Sequence, residues 1–337
     1  MEKDLQIRFP ASVKRTNRGL VVGFVRIPAS CFVEPFVHET LANHANVERT
    51  EVFYPWEKLT PYLGADVGAK PAGIILHAAR VGSTLQIVCL RCAKGLTAYS
   101  EPTVINDLLH GLLIPAQTRA WQAEMVAALR FVVDLLGQHA GGPFVLKLRS
   151  WNSLFAPLIN EAFPKTPWVF AVRNPVEVGV SIERKPPTWM RAFIDANNPF
   201  LPFAAAHGDP CSREIYFAAM FASFCDAIGD IDKRHGHLVR YEDLPNAVWE
   251  SVCPHFGIHL TADEIELIKS VARFDVKRGG LFVPDTQPKQ AAATAALRSA
   301  ANRIAHPALV RLEAAFLEET LPNINHEQQH HHFAYQI

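Results

Sequence analysis

Apolar positions change their rhythm partway along the chain. From Gly73 onward, short continuous apolar runs alternate with stretches of helical spacing. Gly73-Ile-Ile-Leu76, Phe144-Val-Leu-Lys-Leu148 and Trp168-Val-Phe-Ala-Val172 read as buried strands, and His237-Leu-Val-Arg-Tyr241 as a shorter one. Helical spacing runs from Leu85 to a stop at Gly95, from about Thr118 to Leu136 before Gly137, from Ser153 to Ala162, from Ile215 to Ile231, and around Pro307 to Glu319. Two helix starts are written clearly. Asn174 with Pro175 and Glu177 has the layout of a capped start, and Thr261 with Glu264 has that of a capping box opening a helix to about Val271. Strand and helix in alternation imply an α/β fold of three layers, a central parallel sheet flanked by helices.

Residues 1–70 follow another pattern. Leu5 to Phe9 and Leu20 to Ile27 have strand-like content, Val37 to His44 suits a short helix, and prolines punctuate the remainder. We read 1–70 as an N-terminal appended segment of unassigned role, 71–322 as the main domain and 323–337 as a tail. Arg184 to Pro210, rich in proline and aromatic residues, reads as a long loop of the kind that serves as a lid.

Composition narrows the classes. The chain has 337 residues, 49% of them hydrophobic, which is enough for one large core, and its formal net charge is zero. Nothing in that balance points to nucleic acid or an anionic membrane as partner. No apolar run approaches the roughly eighteen residues of a membrane span, so the expectation is a soluble, cytoplasmic protein, with an oligomer left open. The six cysteines are scattered, and Cys89-x-x-Cys92 falls within a helix without a second pair, so buried thiols are expected rather than a redox or zinc site. His326 and His330 to His332 read as a solvated tail, and no metal is assigned.

The chemistry concentrates where the first buried strand ends. Arg80-Val-Gly-Ser-Thr84 joins that strand to the helix beginning near Leu85. Gly82 permits a sharp turn, the helix start offers unpaired N–H groups and its dipole to an anion, and Ser83 and Thr84 add hydroxyls. A nucleoside triphosphate cradle would need lysine where Gly82 stands, which disfavours a Mg-ATP kinase. The order Arg-x-Gly-Ser-Thr-Leu instead resembles the 5′-phosphate loop of sulfotransferases, P-loop-type proteins that use 3′-phosphoadenosine 5′-phosphosulfate (PAPS).

Further stretches match that family in the same order, so the resemblance covers roughly residues 73–320. It implies that Arg173 and Ser181 hold the 3′-phosphate of the nucleotide, and that Lys277-Arg-Gly-Gly280, through Arg278, closes over it. It also implies that Arg80, Gly82, Ser83 and Thr84 hold the 5′ end, with Arg80 and Lys147 neutralising the departing phosphate. Val239-Arg-Tyr-Glu-Asp-Leu244 resembles a late strand of the family. The pattern departs at Val81, where serine is usual, and at Arg149, where cytosolic members carry a histidine base. Ser100-Glu101-Pro102 resembles the Ser-Glu-Pro of other branches and makes Glu101 the expected base, its pKa raised by partial burial against opposition from nearby cations; His77 and His110 rank behind it. The implied reaction is sulfuryl transfer from PAPS, without a metal, to a hydroxyl or less readily an amine of a small organic acceptor. Trp151 and the aromatic stretch from Trp189 to Phe203 would form its apolar wall. The rivals are a small-molecule kinase and a nucleotide-binding module without turnover.

Overall fold

The computed structural model describes residues 8–17, 19–43, 50–59, 70–111, 113, 119–195, 197–274, 280–281, 283 and 285–320. It begins with an antiparallel sheet of β1 (Phe9–Thr16), β2 (Gly19–Val25) and β3 (Val52–Pro55) in the order β1-β2-β3. The main sheet holds β4 (Gly73–His77), β5 (Thr97–Ser100), β6 (Phe144–Lys147), β7 (Trp168–Val172) and β8 (Gly236–Arg240), all parallel, in the order β5-β6-β4-β7-β8. This is the three-layer α/β arrangement that the alternation implies.

Side chains alternate across the main sheet, as a strand's period of two demands. Ile75, Ala98, Val145, Val169 and Val239 face one layer, packing with α1 (Ser83–Leu90) and Ile268. Ile74, Leu76, Tyr99, Leu146 and Phe170 face the other. That second layer contains α2 (Thr103–Gly111), α3 (Arg119–Ala140), α4 (Pro175–Arg184) and α5 (Arg213–Gly229). Later in the chain come α6 (Ala262–Ala272), which packs on α1 in the first layer, then α7 (Thr286–Ala292) and α8 (His306–Thr320). No described helix is long and apolar enough to cross a membrane.

Several boundaries differ from expectation. α3 runs through Gly137 to Ala140 and stops at Gly141, whose φ of 67° is the left-handed form that closes helices. An interior glycine costs a helix only about 1 kcal/mol, less than the burial of Val132, Leu135 and Leu136 supplies. The segment after the first helix, which no long apolar run marks, contains the edge strand β5. The long loop from Arg184 to Pro210 is broken by helical turns at Thr188–Arg191 and Leu201–Ala205. Its Trp189 is wholly buried against Phe224 and Tyr216, so the core claims that aromatic residue. Cys89 is fully buried too, and burial pushes its thiol up to about 12.

The N-terminal segment shares the main core. Phe9, Val22 and Phe24 belong to the same apolar cluster as Tyr99 and Val104, and Phe9 and Phe32 pack against the rings of Tyr99 and His139. His139 joins the parts. Its Nε2–H donates to the Ile27 carbonyl at 2.5 Å, which leaves Nδ1 to accept from the Tyr99 hydroxyl at 2.7 Å. Burial holds the His139 pKa below the ordinary 6.5 despite that carbonyl. An unfolded histidine takes up its proton near pH 6.5 and the folded one only at lower pH. The unfolded chain therefore binds more protons as pH falls through that window, and stability falls with it. Urea midpoints measured from pH 7.5 to 5.5 are expected to drop in the wild type, and to drop less in His139→Asn. His237, also lowered by burial, adds a slope of the same sign that the variant keeps.

Candidate active site

β4 leaves the middle of the sheet and turns at once into α1. Ala79 and Arg80 adopt φ of 68° and 54°, and Gly82 adopts 79°, so three residues of a four-residue stretch are left-handed. Such conformations cost a side-chain-bearing residue roughly 1–3 kcal/mol and persist where the surroundings over-determine them. The surroundings are plain here. His77 Nε2 donates to the Leu148 carbonyl at 3.1 Å, and its Nδ1 accepts from the Ala79 N–H at 3.1 Å. Both ring nitrogens of this expected reserve base thus pin the turn. Gly82 is also forced by space, because a Cβ there would lie 2.5 Å from Leu244 Cδ1 and 3.2 Å from the Tyr241 ring. Ser83 and Thr84 open α1 with hydroxyls that make no hydrogen bond among the described residues, beside the unpaired N–H groups of the helix start. Arg80 donates to the Lys185 carbonyl at the end of α4.

Next along the strand ends stands a charged group that the sequence split between two motifs. Lys147, at the end of β6, is 1% exposed and donates to Glu101 Oε1 at 2.5 Å. Arg149 Nε lies 3.3 Å from Glu101 Oε2, and Glu101 itself has φ of 58°. The Phe36 ring, from the N-terminal segment, lies 5.0 Å from the Lys147 ammonium. Burial pushes the Glu101 carboxyl up, but the charge and hydrogen bond of Lys147 and the charge of Arg149 outweigh it, and the net direction is below the ordinary value. The expected rise is therefore not met, because two cations occupy both carboxylate oxygens. Burial pushes the Lys147 ammonium down, and Glu101 offsets only part of that.

Arg173 leaves β7 and is 3% exposed. Its Nε donates to Glu177 Oε2 at 2.7 Å, one terminal nitrogen donates to Asp285 Oδ1 at 2.7 Å, and the guanidinium stacks 3.6 Å from the Tyr241 ring centroid. Ser181 does not join it. Its hydroxyl donates to the Glu177 carbonyl at 2.9 Å, one turn back in α4. The expected Arg173 and Ser181 pair is thus separated in these contacts by Glu177, whose carboxylate is the nearer and stronger partner. Arg278 lies outside the described residues. Of the expected acceptor wall, Trp151 packs edge-to-face with Phe155, Phe200 and His110, while Trp189 belongs to the core.

These groups share one edge. The loop after β4, Lys147 after β6 and Arg173 after β7 all lie at the carboxyl ends of neighbouring parallel strands. The connection leaving β4 runs toward β5 and the one leaving β7 toward β8, so a topological switch point falls between them, where open sheets bind ligands. Tyr241 touches both sides, closing on Gly82 and stacking under Arg173. Sequence reasoning took Tyr241 as part of a structural strand, and it passed over Phe36, Asp285 and Lys289. An acid followed four residues later by a base, as in Asp285 and Lys289, was the only available signal for the last two.

No family model matches the chain, and no curated protein matches it either. Solved structures do. A sulfotransferase domain from the curacin biosynthetic pathway is 16% identical, with 71% of this chain and 98% of that chain covered at a TM-score of 0.44. A sulfotransferase from Alicyclobacillus acidocaldarius is 17% identical, with coverages of 74% and 97% and a TM-score of 0.42. A mouse sulfotransferase solved with PAP is 12% identical, with coverages of 79% and 92% and a TM-score of 0.34. At such values these likenesses carry no substrate or activity across, and what the chain does has to be argued from its own residues.

Proposed function

We propose that the chain transfers a sulfuryl group from PAPS to a hydroxyl, less readily an amine, of a small and partly apolar organic acceptor, releasing adenosine 3′,5′-bisphosphate (PAP). The observation that carries the reading is the Tyr241 ring lying against both Gly82 and Arg173, which brings a buried guanidinium beside a helix start whose two hydroxyls make no hydrogen bond among the described residues. In the reaction the acceptor oxygen bonds to sulfur while the bond from sulfur to the 5′-phosphate oxygen breaks. Lys147 and Arg80 neutralise the phosphate charge that develops, as fixed cations do in phosphoryl transfer. Glu101, held ionised, takes the acceptor proton, which becomes acidic only as the oxygen bonds to sulfur.

One observation favours a second reading, a nucleotide-binding chain without turnover. Glu101 spends both oxygens on cations, and Arg173 is already paired with carboxylates. Calorimetry with PAP, followed by turnover of PAPS across a panel of hydroxyl and amine acceptors, separates the two. Micromolar binding with sulfated product is expected. Binding with no product on any acceptor selects the second reading, and turnover of Mg-ATP in place of PAPS selects the kinase.

A further inference from the structure

A carboxylate of the chain itself sits where an anion would bridge two buried cations. Asp285 Oδ1 accepts from Arg173 at 2.7 Å, and Asp285 Oδ2 lies 2.7 Å from Lys289 Nζ. The side chains of Arg173 and Lys289 are 3% and 8% exposed, whereas that of Asp285 is 36% exposed. The two carboxylates on Arg173 are therefore unequal. Glu177 is 6% exposed and accepts from Arg173, from Thr286 Oγ1 at 3.2 Å and from Gln290 Nε2 at 3.2 Å. It fixes the guanidinium against Tyr241. Asp285 approaches the same two cations from the solvent side, and it is the one that solvent can replace. Arg298 lies behind the group, donating to the side chain and carbonyl of Gln290.

Resting on the nucleotide reading above, we propose that Lys289 is a second cation for the 3′-phosphate, and that Asp285 is its exchangeable counter-ion. With Asp285 in place, Arg173 and Lys289 are balanced by Asp285 and Glu177. When a phosphate monoester takes the position of Asp285, it gains a charge-assisted hydrogen bond from each cation, and its third oxygen faces solvent or the rest of the nucleotide. Lys289 reaches Asp285 from the last turn of α7, more than a hundred residues beyond Arg173, so no local motif marks it.

The two partners of this ion pair should act in opposite directions, which a merely structural pair would not do. The test is calorimetry of the full-length protein with PAP, with adenosine 5′-monophosphate measured by competition as the ligand lacking the 3′-phosphate. Lys289→Met is expected to weaken PAP about tenfold, the worth of one charge-assisted contact, with the monophosphate unchanged. Lys289→Arg should retain binding, and Asp285→Asn should tighten PAP by a similar factor. Thermal melting of each variant confirms that it is folded. PAP affinity that is unaltered in Lys289→Met and Asp285→Asn, or shifted the same way in both, overturns the proposal and leaves the nucleotide reading standing. No PAP binding to the wild type overturns both.

Discussion

Glu101→Gln is expected to destabilise the fold by about 3–5 kcal/mol, the usual consequence of leaving one partner of a buried ion pair without its counter-charge. The stranded group is Lys147, 1% exposed at the end of β6, with Arg149 and Arg91 adding like charge around it. Lys147→Met should cost less, because Glu101 keeps Arg149 at 3.3 Å and some contact with water. The double variant should recover much of the loss seen in Glu101→Gln, since it removes both charges together. Urea unfolding of the four proteins closes the cycle, and a loss below about 1 kcal/mol in Glu101→Gln would count against a buried pair. The sign with pH follows from the lowered carboxyl. Its contribution is complete above the unfolded value of about 4.5 and disappears as pH falls through the lower folded value. Turnover provides the second readout. If Lys147 meets the leaving phosphate, Lys147→Met should lower kcat by about 10²–10³-fold, the range seen when one stabilising donor is removed, despite its smaller effect on folding. The order of the two variants would thus invert between stability and catalysis.

What could be read from the sequence divides along physical lines. β4 and β7 are buried on both faces, so they show as unbroken apolar runs. β5 and β3 have four residues each, and β1 carries the polar Ser12, Lys14 and Arg15 among its apolar residues, so no run announces them. The turn after β4 was legible because its demand is local: a position that a Cβ would block, followed by hydroxyls opening a helix. The surroundings of Arg173 were not. Glu177 stands at capping-box spacing, yet the cap is made by Asn174, whose Oδ1 accepts from the Val176 N–H at 3.0 Å. The Glu177 carboxylate turns instead to Arg173, Thr286 and Gln290, where charge makes the stronger bond. One spacing fits two uses, and only the fold of a segment more than a hundred residues away decides between them. Glu101 presents the same difficulty. The sequence offers a carboxyl near cations, and whether burial or those charges win depends on distances that no spacing encodes.

Gly82→Ala should destabilise the fold and weaken nucleotide binding with it. Two effects add at this position. The left-handed backbone at φ 79° costs a residue with a Cβ roughly 1–2 kcal/mol. The new methyl would also stand 2.5 Å from Leu244 Cδ1 and 3.2 Å from the Tyr241 ring, so one of them must move, at about 1–3 kcal/mol for an overpacked site. Gly95→Ala separates the terms. Gly95 shares the left-handed form at φ 75°, but a Cβ there meets nothing within 4 Å, so it should lose only the backbone share and bind PAP normally. Displacing Tyr241 has a further consequence, because the same ring supports the Arg173 guanidinium from 3.6 Å. A methyl at the 5′ side of the crevice therefore disturbs the 3′ side too, and calorimetry should find PAP weakened by about 100-fold or more in Gly82→Ala, the equivalent of losing two charge-assisted contacts. Wild-type affinity in that variant would mean that the turn after β4 does not hold the nucleotide.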